Sequence, residues 1–417
     1  MKTGYKNMKC GLIGERLGHS FSPLIHSELA DYSYELCEVE PSKLEAFVRE
    51  GRLDAFNVTI PYKKDIIPFL DEISPEARAI GAVNTVVRES SGKLCGYNTD
   101  YFGFKYMIES ADIDVKGKKA IVFGTGGASL TVCAVLKDKG AQDIAVIGRK
   151  DNTPENIAKH ADAHIIVNAT PVGMYPNNAR TPVDVSLFPV CECVLDVIYN
   201  PARTKLMLDA EKRGIKTVNG LPMLVAQAVR AFEFFTNDTA KEGCIEYITS
   251  HIAQANKNII LIGMPGCGKS TVGKLIAERL GRDFFDADIE FEKMHGFTPA
   301  HCIETFGEDR FRELENVTVC ELGKKSGVVI ATGGGVVTRR MNYDPLHQNG
   351  EIFFIERKLE NLSVAGRPLS QKASPEEMYK NRIGYYREFA DATVESREIP
   401  EDTSERIIAA YKKLTQI

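Results

Sequence analysis

The chain lacks the features that mark membrane, secreted and nucleic-acid-binding proteins. No apolar run approaches the roughly 20 residues that cross a bilayer, and residues 1–7 lack the apolar core of a secretory signal peptide. The formal net charge is −5, and neither half of the sequence has the basic excess that binding to nucleic acid requires. We therefore expect a cytoplasmic protein whose partners are small molecules, with no role at a membrane or on nucleic acid.

Closely spaced cysteines are also few. Of the ten cysteines, only Cys191 and Cys193 are close together, and no pair has the CxxC spacing. This arrangement is not typical of a zinc site or of a disulfide framework. We expect reduced thiols, which again favours a cytoplasmic location.

The length and composition are those of a globular protein with more than one domain. A chain of 417 residues is long for one core, whereas its hydrophobic content of 43% and its charged content of 26% are ordinary. Strand and helix patterns mix over residues 1–105, alternate over 106–220, become helical over 221–254 and resume their alternation near 257. The sequence thus predicts an α/β protein with two or three domains.

The strongest motif is a glycine-rich loop over residues 263–270, which reads GMPGCGKS and fits the pattern GxxxxGKS. Apolar residues 259–262 predict a buried strand before it, and residues 271–280 predict a helix after it. This order is typical of a phosphate-binding loop, because backbone N–H groups and the helix N-terminus together bind phosphate oxygens. Lys269 can reach the β- and γ-phosphates of a nucleotide, and Ser270 can hold Mg²⁺. The residues predicted to contact the nucleotide are Gly263, Gly266, Cys267, Gly268, Lys269, Ser270 and Thr271.

A second glycine-rich turn lies between a predicted strand, Lys119–Phe123, and a predicted helix over 130–139. Its sequence, GTGGAS over residues 124–129, follows the dinucleotide-binding pattern GxGxxG with serine in the third glycine's place. After the next predicted strand come Arg149 and Lys150, where a cofactor without a 2′-phosphate would favour an acidic residue. The two cations therefore favour NADP over NAD, although two solvated surface cations are the alternative interpretation.

The first hundred residues place hydroxyl and amide side chains in segments that loops and strand ends would expose. They lie in Ser20–Ser22, Asn57–Lys63, Asn84–Thr85 and Asn98–Asp100. Such groups can recognise a ring that carries several hydroxyls. Lys63 and Asp100 facing one carbonyl would form a proton-transfer pair, in which the aspartate positions the lysine and the lysine protonates the oxygen as hydride reaches the carbon. From spacing alone, a solvated surface lysine is the more common interpretation.

Eight motifs follow one another over residues 8–250. They are 18–26 (GHSFSPLIH), 57–63 (NVTIPYK), 81–85 (GAVNT), 96–100 (GYNTD), 124–128 (GTGGA), 168–174 (NATPVGM), 196–201 (DVIYNP) and 219–227 (NGLPMLVAQ). In this order they resemble the shikimate dehydrogenase family, and so many ordered matches are highly specific.

The resemblance implies an α/β substrate domain over 1–105, completed by helices within 221–254, and a Rossmann-like NADP domain over 106–220. It implies that Lys63 and Asp100 are the catalytic pair. The residues expected to hold the substrate are Ser20, Ser22, Asn57, Thr59, Asn84, Tyr199 and Gln227. Those expected to contact the cofactor are Gly124, Gly126, Gly127, Ala128, Arg149, Lys150, Gly220 and Met223, although a buried helix residue is an equally good interpretation of Met223.

Residues 257–417 contain a second ordered set of motifs. Beyond the phosphate loop these are 286–288 (DAD), 307–315 (GEDRFRELE), 333–335 (GGG) and 366–369 (GRPL), with Arg382 in a later predicted helix. They resemble the shikimate kinase family. The resemblance implies a P-loop domain in which a parallel sheet is flanked by helices.

The kinase resemblance implies how the acceptor substrate is held. Arg312 and Arg382 would bind the substrate carboxylate in bidentate fashion. Asp288 would accept hydrogen bonds from ring hydroxyls and orient or deprotonate the attacking one. The glycines at 333–335 would let the ring approach the backbone closely.

The same resemblance implies how phosphoryl transfer is assisted. Asp286 would hold Mg²⁺ through water, together with Ser270. Arg367 would move in with a lid and neutralise charge on the transferring phosphoryl group. Lys269, Asp288 and Arg367 are therefore the implied catalytic residues of this part.

Two departures from the family patterns matter. Between Arg149 and Asn168 the chain is shorter than the family's helix–strand excursion, and the usual Asn-Arg-Thr is replaced by residues 148–150, Gly-Arg-Lys. A trimmed cofactor domain leaves the strength of the NADP preference open. The segment 356–366 is short and lacks a basic residue that often precedes the lid arginine, so ATP contact from that side would either be weaker or come from Arg357 or Lys358.

We predict one enzyme with two consecutive activities, NADPH-dependent reduction of 3-dehydroshikimate to shikimate and ATP- and Mg²⁺-dependent phosphorylation of shikimate at its 3-hydroxyl. One alternative is a non-catalytic sensor of the same metabolites, and another is a quinate/shikimate dehydrogenase that uses NAD. Arg149 and Lys150 argue against the use of NAD. The sensor is disfavoured because the side chains needed for chemistry are present, namely Lys63, Asp100, Lys269, Ser270 and Asp288. We expect a monomer or a homodimer.

Overall fold

The computed structural model describes residues 2–18, 20–362 and 374–415. The chain forms two compact units, each with its own cores. The first comprises Met1–Val172, Thr181–Tyr199 and Asp209–Thr249, and the second comprises Gly173–Arg180, Asn200–Leu208 and Ser250–Ile417. The α/β class is confirmed by the sheets and helices of both units. The domain boundaries expected near residues 105, 220 and 257 stay predictions.

The first part of the first unit contains six strands and four helices. In chain order they are β1 (Lys9–Gly14), α1 (Ser22–Leu29), β2 (Ser33–Glu38), α2 (Leu44–Glu50), β3 (Ala55–Val58), β4 (Glu72–Ile73), α3 (Pro75–Ile80), β5 (Thr85–Arg88), β6 (Leu94–Tyr97) and α4 (Thr99–Ser110). The strands form one mixed sheet in the order β2-β1-β3-β5-β6-β4. Only β3–β5 and β5–β6 pair antiparallel, so β3 and β6 each end beside an end of β5.

Short polar residues set the helix ends near this sheet. The Ser74 side chain accepts a hydrogen bond from the Ala77 N–H, and Gly81 ends α3 in the left-handed region at φ +73°. The Asn98 side chain accepts from the Tyr101 N–H at the start of α4. This cap fixes the first turn of α4, which carries Asp100.

The second part of the first unit is a parallel sheet. Its strands are β7 (Lys119–Phe123), β8 (Asp143–Ile147), β9 (Ile165–Asn168), β10 (Cys193–Asp196) and β11 (Lys216–Val218), in the order β11-β10-β9-β7-β8. The helices are α5 (Gly127–Asp138), α6 (Pro154–Ala158), α7 (Lys205–Glu211) and α8 (Leu221–Thr236). The shortened excursion noted in the sequence contains only the five-residue α6, and β8 forms the edge of the sheet.

Helix α8 packs against elements of the mixed sheet. The Phe234 and Tyr97 rings stack with centroids 4.0 Å apart, and the Phe235 ring lies 5.8 Å from the His26 ring. A Cβ atom on Gly103 would lie 2.5 Å from the Met223 carbonyl oxygen, so α4 and α8 approach more closely than any other residue at 103 would allow. The contact brings Gln227 of α8 to the polar residues at the ends of β3 and β6.

The second unit is built on another parallel sheet. Its strands are β12 (Asn258–Ile262), β13 (Phe284–Asp286), β14 (Val329–Ala331), β15 (Gly350–Glu356) and β16 (Ala392–Glu395), in the order β13-β14-β12-β15-β16. The helices are α9 (Cys244–Asn256), α10 (Lys269–Leu280), α11 (Ala287–His295), α12 (Pro299–Phe306), α13 (Glu308–Gly323), α14 (Tyr343–His347), α15 (Pro375–Phe389) and α16 (Pro400–Thr415). The apolar strands are buried on both faces, as expected for a parallel sheet covered by helices.

Two short segments from the middle of the chain complete the second unit. The Arg203 side chain donates hydrogen bonds to the His347 carbonyl at 2.8 Å and to the Gly350 carbonyl at 2.6 Å. Asn349 accepts from the Ala202 N–H at 2.9 Å and donates to the Tyr175 hydroxyl at 3.0 Å. These contacts give hydrogen-bond partners to polar groups that are buried at the start of β15.

Helices long and apolar enough to span a bilayer are absent from the described ranges.

Candidate active sites

The first site is centred on an ion pair in the first unit. Lys63 Nζ lies 2.5 Å from Asp100 Oδ2, and the two side chains are 16% and 8% exposed. Asp100 is held in the first turn of α4, while Lys63 follows β3. A Cβ atom on Gly127 would lie 3.4 Å from Lys63 Cβ, so the glycine-rich turn after β7 passes beside the lysine. The predicted catalytic pair is thus assembled next to the predicted dinucleotide turn.

A buried polar network adjoins this pair. Asn57 Nδ2 donates to Thr85 Oγ1 at 3.1 Å, and Asn84 Nδ2 donates to Thr99 Oγ1 at 3.0 Å. The Thr99 N–H donates to Asn84 Oδ1 at 2.7 Å, and the Thr99 hydroxyl lies 3.4 Å from Gln227 Oε1. All five side chains are buried. Because they hold one another in place, their remaining donors and acceptors are fixed before any ligand arrives.

A second group of hydroxyls lies at the start of α1. The Ser20 hydroxyl donates to Ser22 Oγ at 3.1 Å, and the Tyr199 ring lies 5.2 Å from the Phe21 ring. Burial raises the pKa of Tyr199, while a hydrogen bond from Ser20 lowers it in part. Tyr34 connects this group to the network, because its hydroxyl donates to Asn57 Oδ1 at 2.7 Å and bonds with Ser22.

The glycine-rich turn after β7 has the shape needed to bind a diphosphate. Gly124 adopts φ +121°, and a Cβ atom there would lie 2.7 Å from the Ala169 carbonyl oxygen. Gly126 precedes α5, and a Cβ atom on it would meet no atom within 4 Å. The N-terminus of α5 is therefore open to a phosphate group, with Ala128 in its first turn.

The second site is a cavity of about 480 Å³ in the second unit. The phosphate loop between β12 and α10 forms one wall, and the glycines after β14 form another. The lining includes these predicted residues: Gly266, Gly268, Lys269, Ser270, Thr271, Asp286, Asp288, Arg312, Gly333, Gly334, Gly335 and Arg382. It also includes apolar residues of α12, such as Ile303, which the motifs do not indicate.

The phosphate loop is held in shape by its own lysine. Lys269 Nζ donates to the Gly263 carbonyl at 2.8 Å and to the Met264 carbonyl at 3.1 Å, and the residue is 8% exposed. Ser270 Oγ donates to Asp286 Oδ2 at 2.5 Å. Cys267 is fully buried, with its side chain in an apolar core. The Cys267 side chain is therefore not available to a nucleotide, and its predicted contact with the nucleotide stays a prediction.

The opposite wall carries a buried arginine. Arg312 is 4% exposed and donates from Nη1 to Glu315 Oε2 at 2.8 Å and from Nη2 to Glu308 Oε1 at 3.1 Å. Its Nε atom is buried and has no partner among the residues that the structure describes. Burial raises the pKa of Glu315, although Arg312 lowers it in part. A Cβ atom on Gly335 would lie 2.2 Å from the Arg312 guanidinium, so any other residue there would displace the guanidinium from this position.

Asp288 faces the same wall. A Cβ atom on Gly333 would lie 3.3 Å from Asp288 Oδ1 and 3.1 Å from Glu315 Oε1. Arg382 Nη1 lies 3.3 Å from the Gly334 carbonyl oxygen, which it binds. Two arginines and two carboxylates thus surround a backbone made of three glycines, an arrangement suited to an anionic, hydroxyl-bearing ligand.

Comparisons with known proteins find matches to both parts of the chain. The family model "Shikimate dehydrogenase substrate binding domain" matches residues 12–86, and the model "Shikimate kinase" matches residues 265–412. The shikimate dehydrogenase (NADP(+)) of Clostridium beijerinckii is 38% identical over 246 residues, which cover 54% of this chain and 90% of that protein. The enzyme of the same name from Caldicellulosiruptor bescii is 41% identical over 256 residues, covering 54% and 87%. The chain belongs to the shikimate dehydrogenase family.

Solved structures of shikimate dehydrogenases also resemble the dehydrogenase part of the chain. Shikimate dehydrogenase 1 from Peptoclostridium difficile has a TM-score of 0.55 and 37% identity, covering 58% of this chain and 97% of that one. The shikimate dehydrogenase of Thermus thermophilus in complex with NADP(H) and shikimate has a TM-score of 0.53 and 30% identity, covering 58% and 99%. The resemblance to both families predicted from the motifs is confirmed.

The placement of the remaining dehydrogenase residues varies. Arg149 and Lys150 are exposed just after β8, and Thr59 is half-buried beside Gly14. Met223 is 7% exposed and packs in the core beneath the parallel sheet, which agrees with its interpretation as a core residue. At Gly220, a Cβ atom would lie 2.1 Å from the Val197 carbonyl oxygen, so packing alone requires glycine. Their roles toward a cofactor or substrate stay predictions.

Sequence reasoning assigned no individual role to several residues of the two sites. Tyr34, Thr85 and Thr99 belong to the dehydrogenase network, and Glu315 holds Arg312 in the kinase cavity. Thr85 and Thr99 lie inside motifs that were recognised, so their neighbours were a usable signal, and Glu315 lies three residues after Arg312 on the same helical face. Tyr34 had no such signal. Arg367, predicted for the lid, lies outside the described residues.

Proposed function

We propose that this protein catalyses two consecutive reactions of the shikimate pathway. The first unit reduces 3-dehydroshikimate to shikimate with NADPH, and the second phosphorylates shikimate to shikimate 3-phosphate with ATP. The observation that carries the proposal is that one chain holds two assembled sites, the Lys63–Asp100 pair at 2.5 Å and the cavity that joins Lys269 to Asp288 and Arg312.

In the dehydrogenase site, Lys63 is the acid for reduction. Its Nζ carries a proton that passes to the carbonyl oxygen, while Asp100 accepts a hydrogen bond from the same nitrogen and sets its direction. When bound, NADPH supplies the hydride that reaches the carbon. The open N-terminus of α5 and the turn beside Lys63 fit a dinucleotide whose reactive end lies near the lysine.

The polar network selects the substrate. Asn57, Asn84 and Gln227 present amides, and Ser20 and Ser22 present hydroxyls, all supported by buried neighbours. Donors and acceptors fixed in this way reject an analogue that lacks a matching hydroxyl, because a buried polar group would then be left unpaired.

In the kinase site, Arg312 and Arg382, which both line the cavity, bind the shikimate carboxylate. Asp288 accepts the proton of the attacking hydroxyl. Without ATP, two loop carbonyls hold the Lys269 ammonium group. When ATP binds, Lys269 exchanges these hydrogen bonds for contacts with the negatively charged phosphates.

A magnesium ion fits beside the phosphate loop. The Ser270 hydroxyl and the Asp286 carboxylate provide oxygen atoms of the kind that Mg²⁺ prefers. Mg²⁺ would neutralise charge on the phosphate oxygens. Within the described ranges no group of three or more His, Cys, Asp or Glu side chains could hold a metal.

We further propose that the protein acts in the cytoplasm on small molecules alone, as a monomer or a homodimer, without nucleic acid or a membrane. The acidic net charge of −5 supports this. NADP is the proposed cofactor rather than NAD, supported by the exposed Arg149 and Lys150 after β8.

A coupled assay tests the proposal. Purified protein receives 3-dehydroshikimate, NADPH, ATP and Mg²⁺, and loss of NADPH absorbance and formation of shikimate 3-phosphate are followed together. We expect both signals, with NADH oxidised more slowly than NADPH. Reduction without phosphorylation would remove the kinase function. Phosphorylation only of added shikimate would remove the dehydrogenase function, and absence of both would favour a sensor.

A further inference from the structure

A tyrosine behind the wall of the kinase cavity holds the backbone on which the substrate would lie. Tyr386 is fully buried in α15, and its hydroxyl donates a hydrogen bond to the Gly334 carbonyl oxygen. Its ring stacks on the Phe354 ring of β15, with centroids 4.9 Å apart and an interplanar angle of 7°. The stack fixes the ring, so the position of the hydroxyl is set by the sheet.

The same carbonyl binds a predicted substrate residue. Arg382 Nη1 donates to the Gly334 oxygen at 3.3 Å, and Arg382 precedes Tyr386 by one helical turn. The two side chains therefore reach one acceptor from the same face of α15. Tyr386 fixes the place of that acceptor, and the acceptor helps to orient the Arg382 guanidinium.

The peptide bond between Gly334 and Gly335 is confined on its other sides. A Cβ atom on Gly334 would lie 2.7 Å from the Pro265 ring of the phosphate loop, and one on Gly335 would lie 2.2 Å from the Arg312 guanidinium. In a planar trans peptide the N–H points opposite to the C=O. When Tyr386 holds the Gly334 carbonyl against the wall, the Gly335 N–H must point away from the tyrosine.

The hydroxyl also approaches the nucleotide side of the cavity. Tyr386 Oη lies 3.9 Å from Met264 Sδ, in the phosphate loop. This contact is a weak one, since thioether sulfur is a poor acceptor. Burial raises the pKa of Tyr386, so the hydroxyl stays protonated and stays a donor. Tyr386 itself does not line the cavity.

We propose that Tyr386 is a positioning residue for the acceptor substrate of the kinase. Its hydroxyl sets the peptide between Gly334 and Gly335 and, through the shared carbonyl, the direction of Arg382. It touches no substrate and acts only through these groups. The inference rests on the proposed kinase function and adds to it a residue that determines the affinity for shikimate rather than the rate of phosphoryl transfer.

The test compares Tyr386→Phe with Tyr411→Phe in the full chain. Both tyrosines are buried in the second unit, and the Tyr411 hydroxyl likewise donates to backbone carbonyls, those of Gln254 and Lys257. We expect Tyr386→Phe to raise the kinase KM for shikimate about tenfold, the effect of one lost hydrogen bond, with kcat and the KM for ATP within about twofold of wild type. Tyr411→Phe should leave all three near wild type.

The controls separate this inference from the function on which it rests. Thermal unfolding reports the loss of stability in both variants, and dehydrogenase activity in the same samples reports an intact first unit. An unchanged shikimate KM in Tyr386→Phe would overturn the inference while leaving the kinase function in place. A parallel rise of the shikimate and ATP KM values in both variants would also overturn it, because it would show general loosening. A wild-type protein without kinase activity would remove the proposed function itself.

Discussion

The two sites hold their polar groups in different ways. Around Lys63 and Asp100 the neighbouring side chains are neutral amides and hydroxyls that bond mainly to one another, such as Asn57 to Thr85 and Asn84 to Thr99. In the kinase cavity several polar groups are charged, and its cations are held by opposite charges or by backbone carbonyls, such as Arg312 by Glu315 and Lys269 by Gly263.

The difference follows from what each site must bind. A neutral network is complete without a ligand, and it distinguishes substrates by which hydroxyls match. A site for the phosphates of a nucleotide needs cations, and burying an unpaired cation is costly, so the cations are paired until the ligand replaces the partner. The first site therefore depends on one ion pair, whereas the charge of the second site is spread over several residues.

Loss of the ionic pair should be the most damaging change in the first site. We expect Lys63→Ala to lower dehydrogenase kcat by about a hundredfold to ten-thousandfold, because the carbonyl oxygen loses its acid. Kinase activity should stay within about twofold. The matched control is Lys64→Ala, at an exposed lysine next in the chain, assayed for both activities. Equal loss of both activities in Lys63→Ala would contradict the separation of the two sites.

Loss of one cation in the second site should be less complete. Lys269→Ala should lower kinase kcat/KM by about a hundredfold to a thousandfold, as for removal of one group that stabilises transition-state charge, since the backbone N–H groups of the phosphate loop remain. Dehydrogenase turnover should be unchanged. Lys274→Ala, at an exposed position of the same helix α10, is the control. Phosphorylation at the wild-type rate in Lys269→Ala would exclude that lysine from the reaction.

The reliance of the second unit on segments from the middle of the chain can be tested by stability. Arg203→Ala removes donors to the His347 and Gly350 carbonyls, and bonds from a charged donor are worth about 1.5–3 kcal/mol each. We expect the free energy of unfolding of the second unit, followed by kinase activity in urea, to fall by about 3 kcal/mol, the lower end of the sum for two such bonds. Arg213→Ala, at an exposed position, should change it by less than about 0.5 kcal/mol. Equal stability in the two variants would show that the segment contributes little.

The motifs indicated the residues proposed to carry out the chemistry better than the residues that hold them in position. Lys269 with Ser270 could be predicted because the strand–loop–helix context of a phosphate loop is distinctive, whereas Lys63, Asp100 and Asp288 were indicated by the order of the family motifs. The supporting residues Tyr34, Tyr386 and Asn349 could not be predicted, because buried tyrosines and amides look alike in any sequence. Which carbonyl such a side chain satisfies is decided only by packing between distant segments.

Each of the two units buries a neutral histidine, and this burial predicts how acid affects the stability of the unit. Burial lowers the pKa of His26 in the first unit to about 3, and burial together with Arg203 lowers that of His347 in the second unit to about 4. Among the groups that face His347, Glu351 and Asp344 raise its pKa in part. Both histidines therefore fold in the neutral form.

The sign of the effect is fixed by these directions. Below about pH 6.5 these histidines bind protons in the unfolded chain but stay neutral in the folded protein. Folding stability is therefore fully present above that pH and is lost as the pH falls toward the folded pKa values. Each histidine should cost its unit about 2 kcal/mol at about pH 5. We expect His347→Gln to reduce the acid sensitivity of urea unfolding followed by kinase activity, and to leave that followed by dehydrogenase activity unchanged. An equal acid sensitivity of the kinase signal in wild type and variant would assign the pH dependence of the second unit to its charge pairs instead.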